Sequence, residues 1–343
     1  ARTVTVEGED VKGPELETLG LLGGGILNKD LYHILKWNKE LDDLGLDTIS
    51  ASNTLAYAME ANERGLWNNG LKFGGIEGIS KIWDDIAYRR GIGNELAEGS
   101  KRLSEKYGGK EFAMQSKGLE LAAYEPRRAV GQGLGYAVSN RGGCHLNGGY
   151  LVILEGLGLN IDAQTPHAKA DFTMMFQDLM EMISATGQCL FTSYAFFPGF
   201  LITRPNGAIA TAANKLLPHL GWAIRLMNKF PRVLAFHLPV FHHTKMMQKA
   251  VGMPMTFGKY LQTGERGFNL ERAVNVRFGV SAAKDSLPKR LTDVPQDPND
   301  PHTRVPLEQM KKIYYQARGW DKSGIPTVSY THLRAHETSA HLV

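Results

Sequence analysis

Residues 124–145 read YEPRRAVGQGLGYAVSNRGGCH, and this stretch separates two parts of the chain that are rich in predicted helix. It combines closely spaced glycines with three arginines, a cysteine and a histidine. Glycine weakens helices and strands, and it lets the backbone approach another group closely. Arginines beside such a backbone suit anions, and a histidine suits proton transfer. The stretch is therefore predicted to form loops that line a binding or catalytic site.

On the N-terminal side of this stretch, apolar residues recur at helical spacing and the runs end at glycines. Asp30 and Asp47 are suited to cap helix N-termini, and Gly45 is suited to end a helix in a left-handed conformation. The predicted helices cover residues 31–44, 47–64, 79–90 and 94–107.

On the C-terminal side, the same spacing predicts helices over residues 169–183, 207–227, 267–280 and 307–318. Residues 231–254 are predicted to be irregular, and the proline-rich residues 287–306 to form a surface loop. Residues 108–122 are weakly patterned and are predicted to hold a domain boundary. Few alternating strand patterns occur, so the predicted class is mostly α.

Composition limits the classes of function. The chain has 39 basic and 35 acidic residues, which is too balanced to indicate a nucleic-acid partner. Two cysteines do not make a disulfide framework, and this is typical of a reducing compartment. No apolar run is long enough to span a bilayer. These features predict a soluble cytoplasmic protein without a membrane or nucleic-acid partner.

The last residues, 328–343, carry neither helical nor strand patterning that continues the preceding sequence. They resemble read-through of a sequencing adapter, so we expect a non-native tail and exclude it from the fold. His332 and His336 lie in that tail and are not predicted to bind metal. His242 and His243 lack a carboxylate or cysteine at ligand spacing, so no metal site is predicted there either.

Residues 42–47 read DDLGLD and place acidic residues on both sides of a predicted helix end. The carboxylates of Asp42 and Asp47 could accept paired hydrogen bonds from a flat heterocycle with an amidine-like edge. The alternative is that Asp42 is solvated and Asp47 only caps the next helix. The sequence leaves both interpretations open.

Cys189 follows another predicted helix end, after Gly187 and Gln188. A buried cysteine is most often a small hydrophobic residue. Alternatively, its thiolate could bind an iron–sulfur cluster, but a [4Fe–4S] cluster generally needs four thiolates. The chain contains only Cys144 and Cys189. If Cys189 is a ligand, the remaining ligands must come from outside this chain.

His145 and two glutamates are candidate proton carriers. His145 is either a structural residue of a polar loop or an acid–base group. Glu15 and Glu17 precede the glycine-rich residues 20–25. They either form a solvated turn or, in a confined pocket, carry protons.

Taken in order, these segments resemble the tungsten-dependent aldehyde:ferredoxin oxidoreductase family. The resemblance covers about residues 1–327 and stops where the unpatterned tail begins. The matching segments are GPELET (13–18), DDLGLDTIS (42–50), GIGNELAEG (91–99), YEPRR (124–128), SNRGGCH (139–145), GQCLF (187–191) and RGWDKSGIPT (318–327).

The resemblance implies the two helical C-terminal domains of a larger enzyme. Residues 1–118 would form the first domain, facing pterin and cluster, and residues 119–327 the second, with His145 and Cys189. An N-terminal β domain would supply three cluster cysteines and cradle the metal–pterin cofactor. Neither the [4Fe–4S] cluster nor the tungsten or molybdenum bis-pyranopterin would then be complete in this chain alone.

The resemblance also assigns site residues by position. Asp42, Gly45 and Asp47 would bind one pterin, and the turn before Cys189, with Ser184, Gly187 and Gln188, would bind the other. Ser184 and Gln188 depart from the family pattern, which has an acidic residue and a leucine at these positions on either side of Gly187. The second pterin contact is therefore expected to be weaker or differently made.

Three further roles follow from the same resemblance. Cys189 would be the fourth cluster ligand. His145 matches the active-site histidine of the family, and Glu17 matches its active-site glutamate. Glu15 is the alternative, because a small shift of the alignment would exchange the two.

The implied activity is oxidation of an aldehyde to a carboxylic acid, with electrons passing through the cluster. The expected partners are the N-terminal domain, the aldehyde substrate, and ferredoxin or an iron–sulfur electron-transfer subunit, with a homodimer as an open alternative. This chain alone is expected to be inactive. The rival interpretations are a related reductive subunit acting on aromatic thioesters and a non-catalytic helical scaffold or binding module.

Overall fold

The computed structural model describes residues 3–157, 159–189, 203–204, 206–230, 233–237 and 243–327. The predicted tail at 328–343 lies outside these ranges, as does His242. The fold is mostly α, as predicted. Contacts divide the chain into two compact units just after Tyr124, and the predicted domain boundary between residues 118 and 119 stays a prediction.

The first unit contains the described residues up to Tyr124, together with Gly142–Cys144 and Leu287–Arg290. Its hairpins are antiparallel, β1 with β2 and β3 with β4. Its elements are β1 (Thr3–Val6), β2 (Glu9–Lys12), α1 (Leu16–Leu22), a 3₁₀ turn (Gly24–Ile26), α2 (Leu31–Asp43), α3 (Thr48–Glu63), α4 (Ile79–Ala87), α5 (Gly91–Leu96), α6 (Gly99–Tyr107), β3 (Gln115–Ser116) and β4 (Leu119–Glu120).

The core of the first unit lies between its helices. Trp37 on α2 and Trp83 on α4 are fully buried, and their rings meet edge to face at 6.4 Å between centroids. The predicted starts of α2 and α3 are confirmed, because Asp30 accepts a hydrogen bond from Tyr32 N (2.9 Å) and Asp47 accepts one from Ser50 N (2.7 Å). These caps satisfy amide groups that have no partner within the helix.

The single helix predicted over 94–107 is wrong, since the chain forms α5 and α6 there. Gly99 separates them with a φ of +79°. The buried carboxylate of Glu120 then accepts hydrogen bonds from Ser100 N (2.9 Å) and Ser100 Oγ (2.7 Å). A residue on β4 thus caps α6, and no local pattern signals such a distant cap.

The second unit contains Glu125–Arg141, His145–Ser286 and the residues from Leu291 onward. Its elements are a 3₁₀ turn (Pro126–Arg128), α7 (Val130–Val138), a π turn (Ile153–Leu157), α8 (Lys169–Ala185), α9 (Ala208–Leu216), a 3₁₀ turn (Leu217–Leu220), α10 (Gly221–Lys229), α11 (His243–Val251), α12 (Phe257–Arg277) and α14 (Leu307–Arg318), with the short α13 (Lys289–Thr292) spanning the division.

The prediction of loops throughout residues 124–145 is wrong, because α7 runs through the middle of the stretch. Its glycines allow close packing instead. A Cβ on Gly131 would lie 2.3 Å from Leu151 Cδ2, and one on Gly135 would lie 2.3 Å from Gly148 O. The cost of glycine in this helix is thus offset by packing distances that no other residue allows.

Other predicted helices have different bounds. The helix predicted over 207–227 is interrupted by the 3₁₀ turn that contains Pro218, which separates α9 from α10. The helix predicted over 267–280 begins earlier, at Phe257, and residues 231–254 include α11. The helix at 307–318 is confirmed. Among the described residues, no helix has the length and apolar character needed to cross a bilayer.

The core of the second unit contains buried ion pairs as well as apolar side chains. Arg272 binds both oxygens of Asp285, at 3.0 and 2.7 Å, and Arg318 pairs with Asp178. Helices α8 and α12 approach so closely that a Cβ on Gly264 would overlap the carbonyl group of Asp178. Because the buried arginines are paired and hydrogen-bonded, Arg318 ties α14 to α8, and Arg272 ties α12 to the segment that holds Asp285.

Candidate functional site

The turn after α2 has a defined backbone. Gly45 adopts a φ of +68°, as predicted for the left-handed helix end. Gly45 N donates to Asp42 O (3.1 Å) and Leu46 N donates to Leu41 O (2.8 Å). These two bonds form a Schellman-type cap, which satisfies the last carbonyls of the helix.

The acidic residues of this turn face solvent. Asp42 and Asp47 are both exposed, although Asp47 also caps α3 through one of its oxygens. The N-cap interpretation is therefore correct, and it leaves the other carboxylate oxygen of Asp47 available to a ligand. A surface depression of about 460 Å³ lies here, lined by Lys12, Glu15, Thr18, Asn38, Asp42, Gly45, Leu46, Asp47 and Thr48.

The two glutamates of the sequence analysis have different surroundings within the first unit. Glu15 is exposed and lines the depression, whereas Glu17 is partly buried and does not. Tyr124 Oη donates a 2.5 Å hydrogen bond to Glu17 Oε1. A charge-assisted bond of this length fixes the orientation of the carboxylate. Of these two glutamates, Glu17 is the one held in this way by a side chain distant in the sequence.

The turn after α8, in the second unit, repeats the backbone of the turn after α2. Gly187 adopts a φ of +67°, Gly187 N donates to Ser184 O (3.0 Å), and Gln188 N donates to Ile183 O (3.1 Å). Each hydrogen bond has its counterpart at Gly45. The two turns therefore share a backbone conformation, which also ends α3 at Gly65, α12 at Gly279 and α14 at Gly319. Ser184 takes the place of Asp42, and Cys189 takes the place of Asp47.

Side chains distinguish the second turn from the first. Gln188 Oε1 accepts a 3.0 Å hydrogen bond from the buried Tyr260 Oη. Cys189 is exposed, so the interpretation of this residue as a buried small hydrophobic side chain is wrong. An exposed thiol beyond a helix end can serve as a metal ligand. Leu190 and Phe191, which complete the sequence motif, lie outside the described residues.

The loop that carries His145 is organised by Asn147. Asn147 Oδ1 accepts hydrogen bonds from Ser139 Oγ (2.7 Å), Asn140 N (3.0 Å) and Arg141 N (3.4 Å). The imidazole of His145 is partly exposed. The residue before it, Cys144, is also partly exposed.

Two contacts to Tyr150 close the loop on its other side. Tyr150 N donates to His145 O (2.9 Å), and the two rings meet edge on at 5.7 Å between centroids. The position of His145 therefore depends on Asn147 and Tyr150, neither of which the sequence analysis identified.

The candidate residues fall into two groups, one in each unit. The first unit brings together Asp42, Gly45 and Asp47, with Glu17 on the neighbouring α1. The second unit carries His145 and the turn from Ser184 to Cys189. Within the described residues, no cluster of three or more histidine, cysteine or acidic side chains could hold a metal ion.

Sequence reasoning also missed a carboxylate pair in the second unit. Burial and the nearby charge of Glu271 raise the pKa of Glu181 to about 7, while Arg141 and Arg318 act in the opposite direction. Glu271 in turn accepts hydrogen bonds from Asn140 (3.2 Å) and Asn147 (3.4 Å). The two glutamates lie on different helices, so no sequence spacing signals the pair.

A comparison with known protein families identifies the family of this chain. The family model described as "Aldehyde ferredoxin oxidoreductase, domains 2 & 3" matches residues 1–332. The chain belongs to the aldehyde ferredoxin oxidoreductase family. The resemblance found in the sequence motifs is thereby confirmed.

Relatives in this family are larger than the chain. The tungsten-containing aldehyde ferredoxin oxidoreductase of Thermococcus kodakarensis is 36% identical over 327 residues, which are 91% of this chain and 47% of that protein. The enzyme of the same name from Pyrococcus furiosus is 36% identical over 329 residues, with 92% and 47% coverage. The chain spans about half the length of these relatives.

More distantly similar proteins carry other enzyme names. The WOR-like subunit of an aliphatic sulfonate oxidoreductase from Pyrococcus furiosus is 28% identical over 145 residues, covering 38% of this chain and 23% of that protein. A chain of the BamBC active-site complex of benzoyl coenzyme A reductase has the same fold. It superimposes with a TM-score of 0.61 at 18% identity, covering 96% of this chain and 50% of that one.

Proposed function

We propose that this chain is the C-terminal part of an aldehyde oxidoreductase. The enzyme oxidises an aldehyde to a carboxylic acid at a tungsten- or molybdenum-bis-pyranopterin centre, and electrons leave through a [4Fe–4S] cluster. The observation that carries the proposal is the placement of the exposed Asp42 and Asp47 carboxylates beside a depression of about 460 Å³ at the Gly45 turn, together with the exposed Cys189 after the Gly187 turn. The side chains of Asp42, Asp47 and Cys189 distinguish these two turns from the other helix ends that have the same backbone.

The turn at Gly45 fits a pterin edge. Asp42 and Asp47 place exposed carboxylate oxygens beside a depression of about 460 Å³. The amino-pyrimidine edge of a pterin presents adjacent N–H donors, and a carboxylate accepts such a pair with good geometry. These two residues would hold and orient one pterin.

The turn at Gly187 also suits a pterin, but it offers fewer acidic acceptors than the turn at Gly45. Ser184 offers a hydroxyl where the first turn offers a carboxylate, and Gln188 is already bonded to Tyr260. A hydrogen bond to a neutral acceptor is weaker than one to a charged acceptor. The second pterin would therefore be bound more by the backbone of this turn than by its side chains.

Cys189 would supply one cluster ligand. Its thiol is exposed directly after the second turn, which suits a cluster beside the pterin. A [4Fe–4S] cluster generally takes four thiolates, so the other three would belong to the remaining half of the protein. Neither cofactor would then be complete in this chain alone.

The reaction converts an aldehyde and a water molecule into a carboxylate, three protons and two electrons. The metal–pterin group, when bound, supplies the two-electron oxidation. Glu17 and His145 would handle the protons. Glu17 is positioned for this by Tyr124 (2.5 Å), and its carboxylate would accept or donate a proton. His145, partly exposed, would exchange protons with solvent.

The test uses the full-length protein. Purified protein is expected to contain tungsten or molybdenum, to show the visible absorbance of an iron–sulfur cluster, and to oxidise an aldehyde with a dye as electron acceptor. Absence of both metals from folded protein would overturn the proposal. Cys189→Ser is expected to remove the cluster absorbance, and Cys144→Ser is the matched control that should retain it. Unchanged absorbance in Cys189→Ser would favour a helical scaffold.

A further inference from the structure

The charges of the chain are unevenly distributed. No aspartate or glutamate occurs between Glu181 and Glu265, although the whole chain has 35 acidic residues. The same stretch contains eight basic residues, namely Arg204, Lys215, Arg225, Lys229, Arg232, Lys245, Lys249 and Lys259. Charge segregation of this kind is typical of a surface that meets an acidic partner.

Three of these lysines lie on or beside α11. Lys245 and Lys249 are on the helix, Lys259 is in the first turn of α12, and all three are exposed. Large apolar side chains on α11 and in the segments that flank it are also exposed, with exposed fractions between 44% and 66%. We call these residues the basic–apolar surface: Val233, Phe236, Lys245, Met246, Lys249, Val251, Met253 and Lys259.

Hydrogen bonds connect the segments that form this surface. Phe257 N donates to Phe236 O (2.9 Å) and Gly258 N donates to Leu234 O (3.1 Å). The rings of Phe236 and Phe257 stack at 6.5 Å between centroids. The surface is therefore built on ordered contacts between residues 233–237 and the start of α12.

The basic–apolar surface is connected to the turn that presents Cys189 through the start of α12. Tyr260, the residue after Lys259, donates its 3.0 Å hydrogen bond to Gln188, the residue before Cys189. All of these residues belong to the second unit. A partner bound on the surface would thus contact the helix that is hydrogen-bonded to the turn of the proposed cluster ligand.

We propose that the basic–apolar surface docks an acidic iron–sulfur electron-carrier protein. The inference rests on the proposed function and adds the location at which electrons leave. Exposed lysines steer an acidic carrier by long-range attraction, and apolar side chains at the centre of the contact provide short-range affinity. A second copy of this chain fits less well, because the same lysines would face each other across the contact.

The test measures electron transfer by the full-length enzyme to two acceptors. One is a purified acidic [4Fe–4S] ferredoxin, and the other is a zwitterionic viologen, which needs no docking surface. In the double variant Lys245→Glu/Lys249→Glu, KM for the ferredoxin is expected to rise about tenfold over the parent value at low salt. The difference in KM between variant and parent should shrink at high salt. Activity with the viologen should not change, which also verifies that the variant folds.

A matched control separates position from net charge. Lys312→Glu with Lys322→Glu alters net charge equally at exposed sites outside the surface. Its KM for the ferredoxin should stay within about twofold of the parent value. An equal rise in both double variants, or no rise in the first, would overturn the docking proposal while viologen activity still supports the proposed function. Absent viologen activity in the parent enzyme would instead overturn the proposed function.

A further experiment tests whether the basic–apolar surface instead binds an anionic lipid membrane. Vesicles containing phosphatidylglycerol are mixed with the same variants and sedimented. We expect no binding that depends on Lys245 and Lys249. Binding lost in their double variant, together with an unchanged KM for the ferredoxin, would overturn the proposal in favour of a lipid surface.

Discussion

Tyr124 Oη lies 2.5 Å from Glu17 Oε1, a hydrogen bond between residues far apart in the sequence. It joins α1 to the start of the glycine- and arginine-rich stretch at residues 124–145. Of the two candidate glutamates, only Glu17 has this contact, and Glu15 instead lines the depression beside Asp42 and Asp47. The two residues can therefore be separated experimentally.

Tyr124→Phe removes the donor to Glu17 and leaves the ring in place. Because a hydrogen bond to a charged group contributes about 1.5–3 kcal/mol, we expect kcat/KM for the aldehyde to fall by at least about tenfold. Tyr107→Phe is the matched control, since Tyr107 also donates to a glutamate, Glu95, at a distance from the site. Equal losses in both variants, measured by steady-state kinetics, would contradict a proton-carrying role for Glu17.

Asp47→Asn separates capping from cofactor binding. Asparagine caps a helix about as well as aspartate, so Ser50 N keeps its acceptor and the melting temperature should change little. The carboxylate is lost, however, so the content of metal–pterin cofactor should fall severalfold. Asp30→Asn, at the cap of α2, is the control and should retain the cofactor. Full cofactor content in Asp47→Asn, measured by metal analysis, would argue that Asp47 is only a cap.

The ends of α2 and α3 could be predicted because their signals are local. Asp30, Gly45 and Asp47 cap or end a helix through their own backbone neighbours. The break between α5 and α6 could not be predicted in the same way. It depends on Glu120, whose carboxylate is brought to Ser100 by the tertiary fold.

Prediction of the candidate site from sequence is limited in the same way. Asp42, Gly187 and Cys189 lie in short motifs that a sequence displays directly. Asn147 and Tyr260 act through partners that only the fold brings near, Ser139 and Gln188 respectively. The glycines of α7 were misinterpreted for a related reason, since their effect depends on which backbone packs against them.

Gly45→Ala and Gly187→Ala test whether the two turns are equivalent. Both glycines have φ near +68°, and neither has a heavy atom within 4 Å of an added Cβ. The cost should therefore come from backbone strain alone, about 1–2 kcal/mol in each case. Gly24→Ala is the control, because that site is open and its φ is not positive. Thermal unfolding should show similar losses for the first two variants, and clearly unequal losses would contradict equivalent turns.

Gln188→Leu restores the residue that the family pattern has at this position, but it removes an acceptor from Tyr260. The buried phenol keeps its interaction with Thr186, so the expected cost is about 1 kcal/mol. Tyr260→Phe should cost a similar amount, and the double variant should cost less than the sum of the two. Additive losses in thermal unfolding would show that the 3.0 Å bond contributes nothing to stability.

Glu181→Gln tests the carboxylate pair through the pH dependence of stability. The pKa of Glu181 is raised to about 7 by burial and by Glu271, whereas an unfolded glutamate ionises near its ordinary value of 4.5. The folded state therefore binds more protons between these two values, so this group makes stability fall as pH rises from about 5 to 8. After allowance for partial solvent exposure, the loss is about 1 kcal/mol.

Glu181→Gln should therefore lose less stability than the parent protein over that interval, as measured by thermal unfolding at both pH values. Glu105→Gln, at an exposed position on α6, is the control and should follow the parent. The same pH dependence in Glu181→Gln and in the parent would show that Glu181 is ionised in the folded protein across this range. That result would contradict a raised pKa for Glu181 in the folded protein.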